Sequence, residues 1–251
     1  MLGQLLDSLG LFSGVSKDEN NEAIFFQYLN DWLLRQCGGR WDTPSTIEYL
    51  WGNEEILALT EDYARYLLDS PRAIQFLGLR RYIQMGGITR LHIPWGWKDP
   101  RNTFTLPFWL RIFTDAKVIY IERHGVDVAQ SLRLRSQEEL INATQKYRKL
   151  QKLAPFRPKR EGFLDSPRCL SLKGGFSLWQ EYVDQSAKVT QHLGENRVLK
   201  LKYEEVLENP VLHLRMCAEF CEFDVSDQKL ESLTASIDSS RAYSYRNDPE
   251  L

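Results

Sequence analysis

Apolar positions recur at helical spacing over most of the first third of the chain. Leu2, Leu5, Leu6 and Leu9 predict an amphipathic helix ending near Gly10, starting at the first residue with no cap or lead-in. After the polar stretch Asp18 to Asn21, Ile24, Phe25, Tyr28, Leu29, Trp32 and Leu33 predict a long helix that stops at Cys37-Gly38-Gly39. Thr46 to Leu68 reads as one further helix, bounded by Asp69-Ser70-Pro71. Beyond Gly86-Gly87 the pattern changes. Leu91 to Trp97 is a short aromatic and apolar segment leading to Lys98-Asp99-Pro100, where Pro100 holds Asp99 extended, and a helix is expected over Leu106 to Phe113.

Lys117 to Ser131 changes character three times. Val118 to Ile121 is a β-branched and aromatic run that predicts a buried strand of a parallel sheet. Arg123, His124 and Gly125 break it, and Val128, Ala129 and Leu132 open a helix with Asp127 in its first turn. Arg123 and Ser131 could thus converge on one anion beside free helix N–H groups, a geometry that suits a phosphate; an arginine that merely pairs with Asp127 is the plainer alternative. Helix continues over Gln137 to Leu153, and Pro155 to Gly175, basic and proline-bearing, is expected to be a mobile insertion. A helix over Leu178 to Leu193, a strand over Arg197 to Tyr203 and a helix over Val211 to Phe223 complete the pattern.

Composition narrows the class. A chain of 251 residues, 43% hydrophobic, is expected to form one α/β domain. The formal net charge of −2 gives no footprint for nucleic acid, so any phosphate site is local. Cys37, Cys169, Cys217 and Cys221 lack paired metal-ligand spacing and read as free thiols of a reducing compartment. No apolar run approaches the ~20 residues that span a bilayer, and the N-terminus fails as a signal peptide, so a cytoplasmic protein is expected.

Three segments, in order, make residues 90 to 225 resemble the sulfotransferases that use 3′-phosphoadenosine 5′-phosphosulfate (PAPS) as donor and release adenosine 3′,5′-bisphosphate (PAP). Arg123-His124-Gly125-Val126-Asp127 with Ser131 resembles the R-x-[PG]-x-D-x-x-x-S segment of that family. The resemblance implies that Arg123 and Ser131 hold the 3′-phosphate, with Asp127 as an orienting residue. Lys98-Asp99-Pro100 is similar to the K-D-P of the tyrosylprotein branch and of bacterial members, and implies Lys98 as the cation at the leaving phosphate. Tyr203 to Pro210 is similar to the Y-E-D-L-x-x-x-P block and implies Tyr203 as an adenine contact, a core tyrosine being the competing reading. Arg241 falls where several relatives return a C-terminal loop to the nucleotide. The resemblance also points to a general base after the first helix, Glu22 in preference to Glu19.

The implied fold is a three-layer, P-loop-NTPase-like parallel sheet flanked by helices, without its usual first strand. No P-x-R-[ST]-G-T loop for the 5′-phosphosulfate is present. The expectation is that the chain begins just past that loop, truncated there, with the polar tail leaving a C-terminal truncation open; a genuine loop-less variant is the alternative. The implied activity is sulfuryl transfer from PAPS to a hydroxyl or amine of a small molecule, peptide or glycan, with no metal required. A non-catalytic PAP- or PAPS-binding or interaction protein is the rival. Trp95, Trp97, Phe104 and the basic stretch Arg157 to Arg168 could line an acceptor pocket, and core packing accounts equally well for the aromatics. A P-loop kinase is disfavoured by the lack of G-x-x-x-x-G-K-[ST].

Overall fold

A computed structural model describes residues 1–153, 156, 159, 162–239 and 242–247. Helix α1, Leu2–Leu9, ends where Gly10 takes φ 114°, a left-handed geometry open to a residue without Cβ. Helix α2, Ile24–Arg35, buries Phe25, Leu29 and Leu33 of the predicted stripe, together with Phe26 and Leu34, which lay outside it, while Tyr28 is exposed. The single helix expected over Thr46 to Leu68 is divided. A 3₁₀ turn at Pro44–Ile47 runs into α3, Glu48–Trp51, and a fresh start follows at α4, Glu54–Asp69. Its cause is Asn53, whose side-chain oxygen accepts the Ile56 N–H at 3.0 Å and caps a new N-terminus. Two short helices, α5 Ile74–Leu77 and α6 Leu79–Met85, are separated by Gly78 at φ 74°.

The segment Leu91 to Trp97 contributes only one parallel bridge, Trp95 with Phe12. Helix α7 spans Asn102–Ile112 with Pro107 inside it, so it starts earlier than expected. The buried carboxylate of Asp99 accepts the Arg101 N–H at 2.9 Å, which closes the turn into the helix. Trp97 stacks on Phe26 with centroids 3.9 Å apart and an interplanar angle of 7°, and Phe104 is 4% exposed against the Tyr182 ring. Phe26, Phe76, Phe104, Phe108 and Trp109 are buried in the core of the helical N-terminal part, and Trp97 packs against it partly buried. Burying each such ring contributes about 1.5–3 kcal/mol.

Strand β1, Val118–Glu122, pairs in parallel with β2, Val198–Lys202, with Ile119 opposite Leu199 and Ile121 opposite Leu201. The crossover contains α8, Gly125–Leu150, a 3₁₀ turn at Pro167–Leu170, and α9, Leu172–Thr190. The end of the expected mobile insertion is therefore ordered helix. Gly174 and Gly175 serve close packing: a Cβ on Gly175 would lie 3.1 Å from the Ala129 backbone of α8. Much of 154–161 lies outside the described residues. After β2 come α10, Tyr203–Glu208, α11, Pro210–Phe220, and α12, Asp227–Thr234.

The result is an α/β arrangement in three layers. Ile119, Leu199 and Leu201 pack with Leu6 and Leu9 of α1, Val206 of α10, Leu214 and Cys217 of α11 and Leu230 of α12. On the opposite face the Tyr120 hydroxyl meets Ser186 of α9. β1 is less buried than a central strand should be, with Ile121 37% exposed, because among the described residues it has a strand on one side only. All four cysteines are free. No helix among the described residues is long and apolar enough to cross a membrane.

Candidate active site

Two clusters of chemically capable side chains form at opposite ends of the α7 to α8 segment. The first is built by the loop between α1 and α2. The Asp18 carboxylate accepts the N–H groups of Asn20 (3.0 Å) and Glu22 (2.8 Å), and Asn21 takes φ 62°, so the loop folds tightly on itself. Glu22 is thereby turned inward and is 7% exposed, whereas Glu19 is exposed. Lys98 Nζ donates to Glu22 Oε1 at 2.7 Å, joining residues far apart in sequence. Gln27 donates to Glu22 Oε2 at 3.3 Å, and Arg101 Nη2 lies 3.6 Å from the same oxygen. Burial pushes the Glu22 carboxyl above its ordinary value; the Lys98 ammonium opposes this without cancelling it.

Beneath this pair a polar network fixes the turn that carries Lys98. Asn30, fully buried in α2, donates to Asp99 Oδ2 at 2.9 Å and to Asn102 Oδ1 at 2.8 Å. Its own oxygen accepts from Thr105 Oγ1 and Trp109 Nε1, both at 2.7 Å. Arg101 Nε completes Asp99 at 2.9 Å. Lys98 itself stays half-exposed, so the rigid turn presents a movable cation.

The second cluster is the turn from β1 into α8. The Arg123 guanidinium lies 5.1 Å from the centroid of the Tyr203 ring, which opens α10 directly after β2. Arg123 Nη2 is also 3.5 Å from Asp127 Oδ2, the plainer pairing anticipated from sequence. The turn is held from two sides: the His124 N–H donates to Glu204 Oε1 at 2.9 Å, and Trp179 of α9 both donates from Nε1 to the Arg123 carbonyl at 3.0 Å and sits so close that a Cβ on Gly125 would lie 2.6 Å from its ring. Asp127 is buried and accepts the Tyr245 N–H at 2.7 Å, and the His124 ring stacks on Tyr245 at 4.8 Å and 12°. The C-terminal segment thus returns to this turn. Arg241 lies outside the described residues. Ser131 is exposed on α8, about 9 Å further along the axis than Gly125 at the usual rise per residue.

Helix α9 links the clusters. Trp179 caps the Arg123 carbonyl, and one turn later Tyr182 packs its ring on Phe104 of α7 at 4.9 Å and donates to the Trp41 carbonyl at 2.8 Å. The sequence pattern assigned no role to Trp179, Tyr182, His124, Asn30 or Arg101. Asn30 was discoverable: it is the one polar residue on the buried stripe of α2, between Phe26 and Leu33.

In chemical terms the first cluster offers a shielded carboxylate beside an ammonium, suited to proton removal next to developing negative charge. The second offers a guanidinium on an aromatic face at the N-terminus of a long helix, suited to an anion joined to a flat ring. A family model described as the sulfotransferase family matches residues 43–227. That span contains Lys98, Arg123, Ser131 and Tyr203, while Glu22 precedes it and Arg241 follows it. Comparison with curated proteins and with solved structures returned no match. Because the match covers most of the chain and includes the strand pair, the chain belongs to the sulfotransferase family.

Proposed function

We propose that this protein transfers a sulfuryl group from PAPS to a hydroxyl or amine of a small-molecule, peptide or glycan acceptor. The observation that carries the reading is the 2.7 Å contact between Lys98 and Glu22, two residues singled out for complementary roles and separated by five α-helices and an extended segment. Glu22 takes the acceptor's proton as the acceptor atom bonds to sulfur. Lys98 donates to the bridging oxygen as its bond to sulfur breaks and it gains charge. The products are PAP and the sulfated acceptor, and the proton rests on Glu22. Arg123 and Ser131 hold the 3′-phosphate, Tyr203 lies against the adenine side, and Arg241 is a further nucleotide contact. Free thiols in all four cysteines are in keeping with a cytoplasmic location.

The test is transfer of label from ³⁵S-PAPS to a panel of p-nitrophenol, tyramine and glucosamine. Label should appear on at least one acceptor and fall about 100-fold or more in Glu22→Gln and Lys98→Ala, the scale of a lost general base or oxyanion donor. Undiminished transfer in both variants, with folding verified by circular dichroism, contradicts the assignment. A second reading is a non-catalytic PAP- or PAPS-binding protein, since the Arg123 guanidinium on the Tyr203 ring at the start of α8 suits nucleotide binding whether or not transfer follows. Binding of PAP without transfer to any acceptor of the panel would favour it.

A further inference from the structure

Lys98 has two duties in this scheme that conflict. It is the main counter-charge of Glu22, and it must leave Glu22 to meet the bridging oxygen. Glu22 is nearly buried, and the charged groups facing it are Lys98, Arg101, Asp99 and Asp18, with neutral Gln27. Once the ammonium moves away, two carboxylates and one guanidinium remain. A shielded carboxylate in that company takes up a proton unless the guanidinium compensates. Arg101 is placed to do so: its side chain is 14% exposed, its Nε is 2.9 Å from Asp99 Oδ1, and its Nη2 reaches to 3.6 Å from Glu22 Oε2. The side chain of Asp99 has no exposed surface and is also held by Asn30, so Arg101 cannot follow Lys98 out of the site.

We infer that Arg101 is the positioning residue that keeps Glu22 ionised and fixed when Lys98 is drawn away, by bridging Glu22 to the buried Asp99. Lys98 is the mobile cation and Arg101 the fixed one. The inference rests on the reading of Glu22 as base and Lys98 as leaving-group cation, but it makes an electrostatic claim that can be measured without any substrate.

The experiment is direct titration of Glu22 by carbon-detected NMR of protein labelled at the glutamate carboxyl carbon, with Glu22→Gln identifying the resonance. Arg101→Gln should raise the titration midpoint of Glu22 by about one unit or more, a tenfold or greater gain in proton affinity. Arg101→Lys should raise it less. The double variant Asp99→Asn/Arg101→Gln, which removes the opposing carboxylate together with the guanidinium, should return most of the shift. It also serves if Arg101→Gln alone does not fold, since its midpoint should then still exceed that of Asp99→Asn. Equal midpoints in both pairs overturn the inference. If Arg101→Gln shifts Glu22 while Glu22→Gln leaves sulfuryl transfer intact, the electrostatic role stands and the base assignment falls. If Glu22→Gln abolishes transfer while Arg101→Gln moves nothing, only the role of Arg101 falls.

Discussion

Glu22 trades stability for chemistry. Burial raises its carboxyl above the ordinary value of 4.5, so the folded protein binds that proton more tightly than the unfolded chain does. The associated stability is fully present below 4.5 and is lost as pH rises through the folded value. Glu22→Gln, neutral throughout, should therefore unfold at higher urea concentration than the wild type at pH 8, and the difference should vanish near pH 4. A difference that grows toward acid pH contradicts this environment for Glu22. Asn30 poses the reverse case, since it joins no proposed chemistry yet satisfies four partners inside the core. Asn30→Ala leaves the Trp109 N–H and part of Asp99 without partners and should cost about 3 kcal/mol or more in guanidinium unfolding. A loss within about 0.5 kcal/mol, the range of ordinary surface substitutions, contradicts the network. At this scale residue types were legible from sequence: a lysine before Asp-Pro, an arginine at a strand end, a glutamate after the first helix. The preference for Glu22 over Glu19 agrees with the contact to Lys98, but the burial of Glu22 was not legible, because a loop carboxylate is shielded or solvated according to contacts made far along the chain.

At the scale of elements, α9 matters most to the site. It packs along α8 through Gly175, reaches the Arg123 carbonyl through Trp179 and touches α7 through Tyr182. Trp179→Phe retains the ring and removes the 3.0 Å hydrogen bond. It should weaken PAP binding about 3- to 10-fold, the scale of one neutral hydrogen bond, with little change in unfolding midpoint. Equal affinity for PAP would show that the turn does not depend on α9. The strand and helix flanking Arg123 were legible because a β-branched run followed by helical periodicity has few other readings. The start of α9 was not. A Gly-Gly pair carries the same letters whether it breaks a helix or lets two helices approach, and the distinction lies in the partner, Ala129. The division at Asn53 was missed for a related reason, because helical periodicity ran through a position that acts as a cap.

Across the whole molecule, a helical N-terminal part that holds Glu22 and Lys98 is joined by α9 to a strand pair that holds Arg123 and Tyr203. The order of segments pointed to the sulfotransferases, and the family match over residues 43–227 agrees with that resemblance. What the order could not convey is burial of β1, since apolar residues suit a central strand and a half-covered one equally. Calorimetric titration with PAP, alongside 5′-AMP, which lacks only the 3′-phosphate, tests the nucleotide site without needing an acceptor. The wild type should bind PAP at least about tenfold more tightly than 5′-AMP, the worth of a charge-assisted contact, and Arg123→Ala should abolish that preference while Glu22→Gln preserves it. Equal affinity for the two nucleotides, or a preference that survives in Arg123→Ala, would contradict the placement of the 3′-phosphate at the β1 to α8 turn.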